Sequence, residues 1–218
     1  MTIKYLGHAS FFIRTKDAKV VTDPYDPQMT GMKFPKVEAD IVTVSHHHQD
    51  HDRVHLVSGA PLVLDWPGEY EKNAVRVFGF KSYHDTENGK SRGENILYKI
   101  EAEGVSVLHC GDMGVVPDDE LVDEIGEVDI LLIPVGGFYT IDANGALEAI
   151  KHLEPSIVIP MHYNHEKLNP KVFERLAPLT DFLKKYGAES AEPVDQLQVK
   201  KEDLADAETK VVVLKMSN

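Results

Sequence analysis

Short apolar runs separated by turn residues fill the first half of the chain. Residues 3–6, 10–14 and 19–22 read as an opening strand meander, with Gly7 and Thr15-Lys16-Asp17 at its turns. Three prolines within residues 24–37 break any regular element there, so that stretch is a loop. Residues 40–45 follow as a β-branched run, the pattern of a strand buried on both faces. Its carboxyl end leads directly into His46-His47-His48-Gln49-Asp50-His51.

Further strands are expected at 62–64, 74–80, 96–101 and 105–109. Residues 118–125 carry acids in a first helical turn, and residues 129–134 form another buried strand. A helix at 142–153, a strand at 157–160 and an amphipathic helix at 170–186 come next, the last kinked by Pro178. A strand at 211–214 closes the pattern. Strands and helices are mixed in both halves, without a residue-level repeat or a linker. The expectation is one α/β (α+β) sandwich domain over residues 1–218, with ligand-bearing loops at strand carboxyl ends.

Composition narrows the function. The chain has 218 residues, enough for one substantial core, and 42% hydrophobic residues with no long apolar stretch. A net charge of −13 repels phosphate backbones, which weighs against nucleic acid as a partner and favours a small molecule. The first residues run into strand-like sequence without the pattern of a secretory signal, and Cys110 is the sole cysteine. Both features fit a cytoplasmic protein with no membrane partner. Homo-oligomers remain compatible with the sequence.

The chemistry gathers at histidines and carboxylates. In an extended segment His46 and His48 fall on one side and can hold one ion together, while Asp50 and His51 can hold a second. Two ions so placed would lie within roughly 4 Å of each other. His84, after a strand, can complete the first, and His162 the second. Asp112 can bridge both, because a carboxylate offers two oxygens. Neutral imidazole and ionised carboxylate admit zinc, manganese or iron.

H-x-H-x-D-H after a buried strand, followed by separated His84, Asp112 and His162, resembles the metallo-β-lactamase fold superfamily across nearly the whole chain. Leu6-Gly7-His8-Ala9-Ser10, Pro67-Gly68-Glu69-Tyr70-Glu71 and Ile159-Pro160-Met161-His162-Tyr163 look like its compact branch, related to ascorbate-phosphate lactonases. The resemblance implies a four-layer αββα sandwich and a hydrolase with two divalent metal ions, zinc first, with manganese in some relatives. It implies that Asp50 and Asp112 are catalytic as well as metal-binding, Asp50 orienting the attacking water and relaying its proton. Asp23, in Val21-Thr22-Asp23-Pro24, matches the acid that supports the ligands from behind. His47 and Asp52 depart from the family's usual pattern.

The remaining candidates have simpler readings. His8 can stand near the metals or serve structure alone, and His109 at the end of an apolar strand reads first as a hydrogen-bonded core imidazole. His47, His55, His152 and His165 read as surface or packing residues. Cys110 lacks an identifiable base, and no G-x-S-x-G occurs. The leading expectation is a hydrolase for a small, anionic lactone, ester or phosphoester. A phosphodiesterase or small nuclease, and a metal-dependent metabolite-binding module without turnover, are the alternatives. Pocket shape is expected to come from residues 24–37, 65–72 and 136–144.

Overall fold

The computed structural model describes residues 1–204 and 208–217. Its first strands are β1 (Thr2–Gly7), β2 (Ser10–Arg14) and β3 (Lys19–Thr22). The short β4 (Val37–Glu38), β5 (Ile41–Thr43), β6 (Val57–Ser58) and β7 (Leu62–Leu64) follow. A meander comes next, made of β8 (Gly68–Lys72), β9 (Val75–Tyr83), β10 (Glu94–Ala102) and β11 (Val105–His109). The chain ends with β12 (Ile130–Pro134), β13 (Ile157–Met161), β14 (Leu197–Gln198) and β15 (Lys210–Val211).

Two sheets dominate. One has the order β14-β1-β2-β3-β5-β7 and the other β15-β13-β12-β11-β10-β9-β8, while β4 and β6 pair separately. A single apolar cluster joins Ile3, Phe11 and Ile13 of the first sheet to Val77, Leu97, Val107 and Ile130 of the second, so the sheets pack face to face. The helices are α1 (Pro27–Thr30), α2 (Asp119–Ile125), α3 (Ala143–Leu153), α4 (Pro170–Phe173) and α5 (Leu179–Tyr186). Ala146, Ala149 and Ile150 of α3 and Phe182 of α5 join the core from the seven-stranded sheet's outer side. The other sheet's outer face is covered by Tyr25, Met32, Phe34 and Phe173 from loops and the two short helices. This is an αββα sandwich with one thin helical layer.

Strands β12 and β13 are buried at every position and pair in parallel, as their unbroken apolar sequences require. Strand β5 lies between β3 and β7, again in parallel pairs. Parallel neighbours aim their carboxyl ends alike, and these ends carry the candidate residues.

The expected helix over 170–186 is two helices. Pro178 does not kink a continuous helix; it is the N-cap of α5 in an extended conformation. Proline disfavours helical geometry in the residue before it, and Ala177 instead donates its N–H to Gly136 O at 2.8 Å. The break draws the preceding turn towards the loop that follows β12. The last strand is also shorter than expected: β15 ends at Val211, and Leu214 forms an isolated bridge with Val194.

Candidate metal centre

Six strand ends deliver the cluster. β1 leads to His8, β3 to Asp23, β5 to the run at 46–51, β9 to His84, β11 to Asp112 and β13 to His162. His8, Asp23 and His162 have positive φ of 57°, 39° and 52°, so the chain turns sharply where each side chain is presented. Gly111 permits another tight turn: a Cβ there would lie 2.5 Å from both Ser45 Cβ and Asn95 Oδ1.

Asp112 is the hub. His84 Nε2 lies 3.2 Å from its Oδ2, and His51 Nε2 and His162 Nε2 each lie 3.3 Å from its Oδ1. His46 Nε2 stands 4.0 Å away. His46, His48 and His84 offer nitrogens within 4.8 Å of one another, and His8, Asp50, His51 and His162 form a second such group. The geometry thus gathers the seven side chains singled out from the sequence and adds His8, whose Nε2 lies 3.1 Å from Asp50 Oδ2. All are buried except His48, which faces solvent.

Supporting contacts fix which nitrogen points inward. Asp23 accepts hydrogen bonds from Ser45 N–H at 2.8 Å and Ser45 Oγ at 2.6 Å, and its Oδ2 lies 2.9 Å from His51 Nδ1. Ser45 Oγ also sits 2.9 Å from His46 Nδ1. With each Nδ1 engaged, the Nε2 atoms of His46 and His51 turn to the centre. Asn95, which sequence reasoning missed, accepts the Asp112 N–H at 3.0 Å and donates to Cys110 O at 3.0 Å. A polar residue just before the apolar run Ile96-Leu97-Tyr98 was its one signal. Asn95→Ala leaves both backbone groups buried without these partners, and denaturant unfolding is expected to show a loss of about 2–4 kcal/mol.

His109 is a core residue, its Nε2 2.7 Å from Ala9 O. Burial pushes the Cys110 thiol far up, so it carries no reactive thiolate. His47 is exposed, 3.8 Å from Asp65.

Electrostatics separates the members. Burial opposes ionisation of Asp112, but His162 and His51 outweigh it and hold the carboxyl well below the usual carboxylate range. Burial also opposes charge on His51, yet Asp112 and Asp50 raise its pKa well above the ordinary value. Burial and the charge on His51 push His46 down, and burial with His162 lowers His8 to about 4. Those two imidazoles are neutral at physiological pH, the form that binds a cation.

The residues fit divalent ions. His46 Nε2, His51 Nε2, His162 Nε2 and Asp112 Oδ1 are buried polar atoms that lack a hydrogen-bond partner. Orphaned groups of this kind are costly unless something else satisfies them. Nitrogen and carboxylate donors converging without a lysine or arginine among them suit zinc-like cations.

Beside this centre is a cavity of about 420 Å³ lined by Met29, His48, Asp50, His84, Arg92, Asp112, Tyr139 and Phe173. The loops at 24–37 and 136–144 contribute as expected. Residues 65–67 instead line a neighbouring cavity with His46, His47 and His48. Arg92 and the segment around Phe173 are contributors the sequence did not single out.

An αββα sandwich carrying this cluster at its strand ends defines a metallo-β-lactamase type of protein. Residues 2–162 match the model of the β-lactamase superfamily domain, and the chain belongs to that family. A "UPF0173 metal-dependent hydrolase" of Thermococcus onnurineus is 32% identical over 192 residues, covering 74% of this chain and 84% of the relative. Its counterpart in Thermoplasma volcanium is 33% identical over 202 residues, covering 78% and 88%. A Thermotoga maritima crystal structure, described as a candidate Zn-dependent hydrolase of the metallo-β-lactamase superfamily, is 38% identical with a TM-score of 0.79. That match covers 98% of this chain and 99% of the other. The chain is a metal-dependent hydrolase of this superfamily.

Proposed function

We propose that the chain uses two divalent ions to hydrolyse a small, anionic lactone, ester or phosphoester. The observation that carries this reading is the pair of donor groups meeting at Asp112: His46, His48 and His84 on one side, and Asp50, His51 and His162 on the other. Bound there, zinc ions, or manganese or iron in their place, would supply a water of lowered pKa and an electrophilic partner for a carbonyl or phosphoryl oxygen.

The chain's own residues do the rest. Asp50, anchored by the contact of its Oδ2 with His8, would both help to hold the second ion and orient the attacking water and take its proton. The same carboxylate then returns the proton to the leaving group. Exposed His48 stands at the cavity, and Phe173 and Tyr139 provide apolar wall that displaces water from the substrate. The cavity volume suits a small metabolite, and the net charge of −13 weighs against a polymeric nucleic acid. Among the described residues no helix is long and apolar enough to cross a membrane. One buried cysteine accords with a cytoplasmic location.

The test is a hydrolysis panel of lactones, carboxylic esters, thioesters, phosphomonoesters and bis-para-nitrophenyl phosphate. It is run on the protein as purified, after chelation, and after returning zinc or manganese. Turnover of one class, abolished by chelation and restored by metal, is the expected result. Activity confined to the phosphodiester would assign the nuclease-like reading instead. Ligand-induced thermal shifts without any turnover would assign a binding module.

A further inference from the structure

Arg92 enters the cavity from the loop between β9 and β10, beside His84 and Asp112. Its position is built rather than incidental. The Asp85 carboxylate accepts four backbone N–H groups of that loop, from Glu87, Gly89, Ser91 and Arg92 itself. The guanidinium then donates from Nη2 to Phe138 O at 3.1 Å and lies 4.9 Å from the Tyr139 ring centroid. Arg175 lies over Phe138 at 3.6 Å and Arg92 at 5.5 Å, so two cations share the ring that neighbours Tyr139 of the cavity wall.

Neither charge meets a carboxylate among the described residues. The ion pairs of the described residues engage Arg53 and Arg76 but neither Arg92 nor Arg175. In a chain of net charge −13, carboxylates are plentiful, yet none comes within 4.0 Å of these guanidinium groups among the described residues. One Nη2 bond uses a single N–H of Arg92, and a guanidinium has five in a planar fork that matches a carboxylate or phosphate.

We propose that Arg92, supported by Arg175, is the anion-binding subsite of this pocket, holding a carboxylate or phosphate of the substrate away from the bond that is cleaved. The inference rests on the two-metal reading only for what happens to the bound molecule; anion capture by Arg92 does not need it. Aromatic stacking and the Asp85 staple pre-organise the guanidinium, so less freedom is lost when an anion docks.

The test is calorimetric titration of the metal-replete protein with two probes, glutarate for the carboxylate and sn-glycerol 3-phosphate for the phosphate. Wild type, Arg92→Gln and Arg92→Lys are compared, with metal content and thermal midpoint recorded for each. The expected result is that wild type binds one of the two anions and that Arg92→Gln weakens it by about tenfold or more at unchanged metal content. Arg92→Lys falls between, because it keeps the charge and loses the fork. The probe that binds identifies the group. Equal affinity in wild type and Arg92→Gln, or no binding of either anion by wild type, overturns the proposal. A lowered midpoint with unchanged anion affinity overturns it too, since Arg92 would then only clamp the Phe138 loop. Arg92-dependent binding in a protein that holds no metal would sink the two-metal reading and leave the anion subsite standing.

Discussion

Asp112→Ala is expected to abolish hydrolysis and to weaken metal binding by more than about hundredfold, beyond the loss that follows removal of a merely supporting group. The reason is convergence. His51, His84 and His162 all approach its two oxygens within 3.3 Å, and His46 stands at 4.0 Å. Without the carboxylate the two donor groups lose the acid they converge on, and the proposed pair of ions would lose its central counter-charge. The metal-free protein should change as well. Asp112 is the strongest influence raising the His51 pKa against burial, so the variant's His51 should titrate lower. Metal titration by calorimetry and histidine titration by NMR check the two parts. Retention of wild-type metal affinity would remove Asp112 from the centre.

Asp23→Ala should have the largest effect on stability, about 3–5 kcal/mol, with a fall in thermal midpoint of about 10 °C. Asp23 is fully buried and engages Ser45 N–H, Ser45 Oγ and His51 Nδ1. Truncation strands all three in the interior, where an unmade hydrogen bond costs more than a made one contributes. Asp23→Asn keeps an acceptor for Ser45 and should lose less. In both variants His51 loses the contact that orients its ring, so metal affinity should drop by about 10–100-fold even where the fold survives. Thermal unfolding of the metal-free protein separates the two effects. A midpoint within a degree of wild type would contradict the account of Asp23.

Much of this architecture is legible in the sequence because its signals are local. The β-branched run at 41–44 and the apolar runs of β12 and β13 state their burial directly. The histidine cluster follows one of those strands at once, and the separated His84 and His162 also sit at strand ends. What escapes the sequence depends on partners far along the chain. Asn95 matters because β10 places it against the turn holding Asp112, 17 positions later. For His8 the sequence left two readings open, near the metals or structural, and only its contact with Asp50, 42 positions away, decides between them. The edge strands β8 and β14 carry no clear apolar alternation, since half-exposed pairing at a sheet edge leaves little pattern. The division of 170–186 into α4 and α5 turns on backbone contacts of Ala177 with the loop after β12, which helical periodicity does not register.

The hydrolysis proposed for this sandwich depends on its holding a pair of ions. Elemental analysis of the protein purified in metal-replete medium, by inductively coupled plasma mass spectrometry, tests it most directly. About two divalent ions per chain are predicted, released together by a chelator along with hydrolytic activity. Fewer than one ion per chain would contradict the two-metal account.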